Sequence, residues 1–317
     1  MKIGNIDLKH GLMLAPMAGV TDPAFRKICR ELGAEYTVTE MISAKAVYYK
    51  DKKTDELAKI YDDEHPIALQ LFGSEFDIVA YAAEKLCEKY KPDAIDLNMG
   101  CPVHKIVSNG EGSALMRDRD KVKFIVKGVC NAVKVPVTVK IRAGWDENDI
   151  NAADIARVCE EYGAAAICIH GRTRSEMYRP PVRLDVIKEV KRAVKIPVIG
   201  NGGIFTSEDA VRMLDYTGCD GIMLARGCQG NPWLFAEIKA RLEGKSYTPP
   251  SLDERINLAI RHTEMMEEEK GERGILEARK IISWYITGVE GSAAARGRIN
   301  SAVSAEQIKE ILLGLKI

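Results

Sequence analysis

The sequence predicts an α/β protein: a closed (β/α)8 or TIM barrel, followed by a small bundle of helices. Three observations predict it, namely eight short apolar runs, helical periodicity between them, and helical patterning alone after about residue 251. The runs each end in glycine or polar residues and cover 12–19, 35–42, 66–73, 94–101, 136–144, 165–172, 196–203 and 220–227. Eight strands alternating with helices are typical of a closed parallel barrel. A doubly wound open sheet is the alternative, but no G-x-G-x-x-G motif follows the first strand.

The order of these patterns divides the 317 residues into two domains. We expect the barrel to occupy residues 1–242 and a linker with two prolines to occupy 243–250. Residues 251–317 have amphipathic helical periodicity and no strand pattern, which predicts a helical domain.

Composition restricts the class of protein. Hydrophobic residues make up 46%, enough for a large core, and 46 basic residues balance 46 acidic ones. Zero net charge does not indicate a nucleic-acid-binding protein, although a local basic patch on a neutral chain can bind nucleic acid. The eight cysteines are scattered without a CxxC pair, so we expect reduced thiols and no metal site. With no signal peptide or bilayer-spanning run, we expect a soluble cytoplasmic protein that does not interact with a membrane. The sequence implies no protein partner.

Strand alternation predicts which side chains enter the barrel. Successive side chains on a strand face opposite sides, so the polar positions opposite the apolar ones point inward. Gln70, Asn98, Lys140 and His170 then converge near the carboxyl ends of four strands, where barrel enzymes have their active sites. A single inward polar residue is explained equally well as a hydrogen-bonded polar group of the core. Four together predict a site, and a buried Lys140 requires an anionic or acceptor partner.

The last two strand ends predict a phosphate site. Glycine-rich turns at 200–203 and 225–227 follow strands seven and eight, the usual phosphate position in this fold. Thr206 and Asp209 are spaced to cap the helix that follows. A phosphate together with a planar, electron-poor ring above Lys140 fits flavin mononucleotide (FMN), because a lysine there stabilises an anionic reduced ring.

The motifs in order resemble one enzyme family. The segments APMAGVTDPAFR, QLFG, DLNMGCPVHKI, GSALMRD, PVTVKIRAGWD, IHGRTRSEMY and PVIGNGGI resemble the tRNA-dihydrouridine synthases, and the bacterial B-type branch most closely. The resemblance covers nearly the whole chain. It implies an FMN-binding barrel and a helical domain that together reduce the C5=C6 bond of specific uridines in tRNA, with NADPH or NADH as reductant.

The resemblance also implies the site residues. Cys101 is the expected proton donor, and Asn98 is expected between flavin and uracil. The expected cofactor contacts are Pro16, Met17, Ala18, Gln70, Asn98, Lys140, His170, Asn201, Gly202, Gly203, Ala225 and Arg226.

The position of Cys101 suits this chemistry. In the implied reaction, hydride passes from flavin N5 to C6 of uracil, and C5 then requires a proton. A thiol whose pKa is about 8.5 is protonated at neutral pH and can act as the general acid. A buried structural cysteine is the alternative. His104 lies three residues on, but no third group is spaced to orient a Cys–His nucleophilic pair.

A stacked base cannot reach a buried flavin, so the target nucleotide must turn out of the tRNA. We expect RNA to cross the barrel mouth and the helical domain, held by phosphate contacts. The candidates are Lys105, Arg142, Arg172, Arg174, Arg279, Lys280, Arg296 and Arg298.

Four features depart from the family pattern: Gly203, Ala225, the segment 178–187 and Ile281. The first two fall at the expected flavin contacts, and the last two fall where RNA is expected. Two other functions remain open, an FMN enzyme that reduces a free small molecule and an RNA-binding protein without catalysis.

Overall fold

Parallel strands form the centre of the computed structural model, which describes residues 1–315. The last two residues of the expected helical domain, 316 and 317, lie outside this range. The strands are β1 Lys2–Ile3, β2 Ile6–Asp7, β3 Leu12–Leu14, β4 Tyr36–Val38, β5 Ile42–Ser43, β6 Ile67–Phe72, β7 Ala94–Met99, β8 Val137–Arg142, β9 Ala166–His170, β10 Val198–Asn201 and β11 Gly221–Leu224.

Eight of these strands close into a barrel. The order around it is β3, β4, β6, β7, β8, β9, β10 and β11, and β11 pairs with β3 to complete the ring. Every pairing in the ring is parallel. Each strand lies within one of the eight predicted runs, so the barrel prediction is confirmed. The short β5 pairs with β6 beside the ring and was not predicted.

Helices follow the strands and cover the barrel. They are α1 Pro23–Glu31, α2 Ala44–Tyr48, α3 Lys53–Leu57, α4 Phe76–Tyr90, α5 His104–Val107, α6 Arg119–Ala132, α7 Ala152–Glu161, α8 Leu184–Ala193, α9 Ser207–Thr217 and α10 Leu234–Leu242. The predicted cap on α9 is present, because Thr206 and Asp209 form a reciprocal capping box.

The barrel interior follows the predicted alternation. Val139 and Ile141 of β8 belong to the core between sheet and helices, together with Ile167 and Ile169 of β9. Cys168 instead belongs to a second set inside the barrel, with Met13, Tyr36 and Met223. Ile3 and Ile6 of an N-terminal hairpin, which the sequence patterns did not predict, join this inner set.

Residues 252–315 contain four helices and no strand. The helices are α11 Leu252–Lys270, α12 Glu272–Tyr285, α13 Ser292–Ile299 and α14 Ala305–Leu313. The first, second and fourth follow the predicted periodicity, whereas α13 was not predicted. These helices share a core that includes Ala24 of α1, so they pack directly against the barrel.

Ion pairs reinforce this contact between the helical region and the barrel. Lys270 lies 2.7 Å from Asp22, with both side chains largely buried. Exposed pairs join Lys59 to Glu269, Arg261 to Glu31 and Arg273 to Glu56. Exposed pairs contribute little individually, so the apolar contact and the Lys270 pair carry most of the attachment. Within residues 1–315, no helix is both long and apolar enough to cross a lipid bilayer.

Candidate active site

A cavity of about 380 Å³ opens at the carboxyl end of the barrel strands. This volume lies in the range of roughly 300–1,000 Å³ that small-molecule sites occupy. Cys101 and all twelve predicted cofactor contacts line it, namely Pro16, Met17, Ala18, Gln70, Asn98, Lys140, His170, Asn201, Gly202, Gly203, Ala225 and Arg226. The structure therefore brings these residues together, and the role of each stays a prediction.

Strand register places the polar residues at one level. Asn98 of β7 is the register partner of Lys140 of β8, and Asn201 of β10 is the partner of His170 of β9. Lys140 Nζ donates to Asn201 Oδ1 at 3.1 Å, which supplies the acceptor that its partial burial requires. Asn201 Nδ2 donates in turn to the Met223 carbonyl at 2.7 Å. The Lys140 ammonium is thus held in place at the cavity wall.

Cys101 lies on the loop after β7, half-buried at the cavity wall. Its backbone N–H donates to Asn98 Oδ1 at 2.9 Å, and its carbonyl accepts from Ser113 N and Ser113 Oγ. A Cβ at residue 112 would lie 2.8 Å from this carbonyl, and φ there is +59°, so only glycine fits. The cysteine loop is therefore fixed from both sides.

The environment of Cys101 favours the protonated thiol. Burial raises the pKa of Cys101, although a backbone hydrogen bond at Val103 and the charges of Arg142 and Lys140 oppose the rise. A thiol with a raised pKa keeps its proton at neutral pH, which suits a proton donor and not a nucleophile. His104 is exposed and is not among the cavity-lining residues.

His170 is buried and neutral. Burial, followed by the charges of Arg142 and Lys140, holds the pKa of His170 well below its ordinary value. Its Nε2 lies 3.2 Å from Arg172 Nη1. A guanidinium only donates, so this nitrogen is the acceptor and Nδ1 carries the proton. Gly202 makes room for the ring, because a Cβ there would lie 2.6 Å from His170 Cδ2.

The cavity is strongly positive although the chain is neutral overall. Five basic side chains line it, and among residues 1–315 its lining includes no carboxylate. They are Lys140, Arg142, Arg172, Arg226 and Lys280. Such a lining attracts a ligand with a phosphate or an anionic ring. The residues present therefore fit a phosphorylated flavin.

The eight predicted RNA contacts divide into two groups. Arg142 and Arg172 are 2% and 3% exposed, so neither is a surface residue. Arg142 donates to the carbonyls of Gly100, Thr173 and Met177. Through these bonds Arg142 links two loops of the cavity wall, the loop at Gly100 and the loop from Thr173 to Met177.

The other candidates lie nearer the surface. Lys105, Lys280 and Arg298 are exposed, while Arg174, Arg279 and Arg296 are half-buried. Arg279 donates twice to the Ala302 carbonyl, which ties α12 to the segment before α14. Lys280 alone of this group lines the cavity, where it brings a charge of the helical region to the barrel mouth.

Two of the departures from the family pattern meet in space. A Cβ at Gly203 would lie 2.8 Å from Val182 Cγ2, so the segment 178–187 packs against this glycine. Ile281, in contrast, is 2% exposed and belongs to the core of the helical region. The expectation that Ile281 meets RNA is therefore wrong, because its side chain packs against other helices.

Tyr178 also lines the cavity, but strand alternation did not predict it. Its ring lies 4.9 Å from the Arg226 guanidinium carbon and 5.6 Å from that of Arg142. It is on a loop, where alternation gives no signal. Asp96, two residues before Asn98 on β7 and hydrogen-bonded to Gln70, was not predicted to have a role either.

The chain matches the family model described as dihydrouridine synthase over residues 13–315. A tRNA-dihydrouridine synthase B from Vibrio cholerae is 41% identical over 317 residues, covering 99% of this chain and 98% of that protein. One from Pasteurella multocida is 40% identical over 318 residues, covering 100% and 95%. A probable tRNA-dihydrouridine synthase from Rickettsia conorii is 40% identical over 313 residues, covering 98% and 94%.

Among solved structures, histamine dehydrogenase from a Rhizobium species superposes with a TM-score of 0.58 at 15% identity. The match covers 84% of this chain and half of that larger chain, and it supports the barrel fold. The family match and the relatives agree with the sequence motifs over almost the whole length. The chain therefore belongs to the dihydrouridine synthase family.

Proposed function

We propose that this protein reduces the C5=C6 bond of specific uridines in tRNA to dihydrouridine, with bound FMN and with NADPH or NADH as the reductant. The observation that carries the proposal is the arrangement of Cys101, Asn98 and Lys140 around one positive cavity. The family membership and the relatives' names support the substrate class.

Different residues of the cavity would contact different parts of the flavin. Pro16, Met17 and Ala18 form one wall, and Gln70 and Asn98 present amide groups. Lys140 and Arg226 supply positive charge, and Gly202 and Gly203 leave backbone exposed after β10 for a phosphate. A flavin held by these residues would supply the hydride that C6 of the uracil requires.

Cys101 holds the proton that C5 requires. Its raised pKa keeps the thiol protonated until the base accepts the proton. Asn98 accepts from the backbone of Cys101, so the amide that borders the cavity also fixes the loop that carries the acid. Positioning of this kind is a large part of what a site contributes to a proton transfer.

We propose residues 251–317 as the RNA-binding domain. Its candidate contacts are the exposed Lys280 and Arg298 and the half-buried Arg296, and the half-buried Arg174 is a candidate contact at the barrel mouth. Lys105 lies exposed on α5, four residues after Cys101, and is a further candidate contact. Arg142 and Arg172 act inside the cavity instead.

The test compares two substrates. Purified protein loaded with FMN is given NADPH and either unmodified tRNA or free uridine, and dihydrouridine is measured by mass spectrometry. The proposal predicts reduction of tRNA at one or a few positions and much slower reduction of free uridine. Equal rates on the two substrates would favour the free-molecule reductase. Binding of tRNA by a colourless protein that retains no FMN would favour the non-catalytic alternative.

A further inference from the structure

A buried carboxylate stands directly behind the cavity. Asp96 lies on β7, two residues before Asn98, and is 2% exposed. It does not line the cavity, but Gln70, to which it is hydrogen-bonded, does. Neither a base nor a cofactor can reach it, so any effect it has must pass through other side chains.

A continuous chain of hydrogen bonds joins Asp96 to the cysteine loop. Gln70 Nε2 donates to Asp96 Oδ2 at 2.6 Å, and Asn98 Nδ2 donates to Gln70 Oε1 at 2.8 Å. The backbone N–H groups of Gly100 and Cys101 donate to Asn98 Oδ1 at 3.1 and 2.9 Å. On the far side, Thr138 Oγ1 donates to Asp96 Oδ1 at 2.5 Å.

The direction of each bond between the cysteine loop and Asp96 Oδ2 is fixed. A backbone N–H only donates, so the oxygen of Asn98 must face the cysteine loop. Its nitrogen then faces Gln70, which must accept with its oxygen. Gln70 therefore donates with its own nitrogen, and that buried group requires an acceptor. Asp96 Oδ2 is the acceptor that the fold supplies.

We infer that Asp96 is a positioning residue that holds Gln70, through it Asn98, and thereby the loop that carries Cys101. This inference rests on the proposed function, in which the two amides border the cofactor and Cys101 donates the proton. Two simpler roles compete with it. In the first, Asp96 does no more than balance the charge of Lys140. In the second, it does no more than fill space in the barrel.

The chain does not depend on the charge of Asp96. Burial raises the pKa of Asp96 to about 6, opposed by the bonds from Gln70 and Thr138 and by the charge of Lys140. The phenol of Tyr36 and the thiol of Cys168 also face it. A proton on Oδ1 can be donated to Thr138 Oγ1, which leaves Oδ2 as the acceptor for Gln70. The acceptor, and not the charge, is what the chain requires.

The experiment compares Asp96→Asn with Asp96→Leu. Asparagine keeps an acceptor for Gln70 but loses the charge, and leucine loses both while keeping a side chain of similar size. Cys168→Ala is the matched control, since Cys168 lies inside the barrel on β9, two strands from Asp96, and contacts Met223. One readout is the rate at which iodoacetamide alkylates Cys101, followed by mass spectrometry of its peptide. A second readout is reoxidation of the reduced flavoprotein by tRNA.

We expect Asp96→Leu to free the cysteine loop, raising the alkylation rate and slowing reoxidation, each by roughly tenfold for the loss of one buried acceptor. Asp96→Asn and Cys168→Ala should remain near the wild-type rates, and the KM for tRNA should not change. Equal loss in the Asn and Leu variants would assign Asp96 to charge balance. Wild-type behaviour in both would leave it no role beyond packing, and either result overturns the inference.

Two features keep the test decisive. Should Asp96→Leu not fold, Asp96→Val replaces it, because a smaller β-branched residue suits a central strand. The alkylation readout does not require turnover. If the wild-type protein made no dihydrouridine, the proposed function would fail while the link between Asp96 and Cys101 could still be measured.

Discussion

Asn98 Oδ1 lies 2.9 Å from the backbone nitrogen of Cys101. One side chain thus contacts the cavity and also fixes the loop that carries its thiol. The strand end that contacts the cofactor in the proposed function therefore also sets the distance from cofactor to proton donor. Proton delivery at Cys101 depends on this link.

The pH dependence of Cys101 modification tests its protonation state. Because burial raises its pKa, alkylation by iodoacetamide should be slow at neutral pH and should increase only above the ordinary cysteine pKa of about 8.5. Mass spectrometry of the Cys101 peptide over a series of pH values gives the midpoint. A midpoint well below that value would show a reactive thiolate and would favour a nucleophile over a general acid.

Lys140→Met removes the ammonium from the cavity lining and keeps most of the length of the side chain. The loss of a charged hydrogen-bonding group should weaken FMN retention or slow flavin reduction by about ten- to a hundredfold. Absorbance of the bound flavin after gel filtration, and stopped-flow reduction by NADPH, measure the two effects. Lys121→Met on the exposed face of α6 is the control. Unchanged flavin behaviour in Lys140→Met would remove this residue from the cofactor site.

Arg298→Glu places a negative charge on the proposed RNA face. It should weaken tRNA binding several-fold at low salt and less at high salt, because phosphate contacts release counterions. Removing one phosphate contact should also lower the slope of log K against log salt by about 1. Lys195→Glu is the control, since Lys195 precedes β10 at the opposite end of the barrel. Equal weakening by both variants would mean that only net charge matters.

Acid should loosen the helical region through His262. This residue is fully buried, stacks on Phe25 of the barrel and lies 3.1 Å from the Tyr285 hydroxyl. Burial lowers its pKa from 6.5 to about 4, so the unfolded chain binds the proton first. The stabilisation from a neutral His262 is complete above about pH 6.5 and is lost as the pH falls toward 4, by roughly 3 kcal/mol.

His262→Gln keeps a hydrogen-bonding group at this position and removes the titration. Urea unfolding of the variant should depend less on pH between about 6.5 and 4 than that of the wild type. The expected sign is a loss of stability with acid in the wild type. A wild-type slope no steeper than that of the variant would contradict this account of His262.

Much of the fold followed from local patterns. The alternation in β8, with Lys140 and Arg142 opposite Val139 and Ile141, was readable because each strand has one face toward the helices. The same rule brought Gln70, Asn98 and His170 to one cavity. The N-terminal hairpin and α13 were missed because they are short and have weak periodicity.

What the sequence did not predict depends on contacts distant along the chain. Arg142 was predicted on the RNA face, yet its guanidinium reaches carbonyls at Gly100, Thr173 and Met177. Ile281 was expected near RNA, but the packing of the helical region buries it. Tyr178 enters the cavity from a loop, where no helix or strand periodicity indicates which way a side chain points. Tertiary packing in the barrel and in the helical region, and not local periodicity, determines where these three side chains lie.

The most direct test of the central claim is a single-turnover comparison of the wild type with Cys101→Ala. Reduced, FMN-loaded protein is mixed with unmodified tRNA, and flavin reoxidation and dihydrouridine are both followed. Cys87→Ala, a half-buried thiol on α4, is the control. We expect Cys101→Ala to be reduced normally by NADPH but to form dihydrouridine about 10²–10⁴-fold more slowly, the usual contribution of a general acid. Dihydrouridine formation at the wild-type rate in Cys101→Ala, or equal slowing of its reduction by NADPH, would contradict the account.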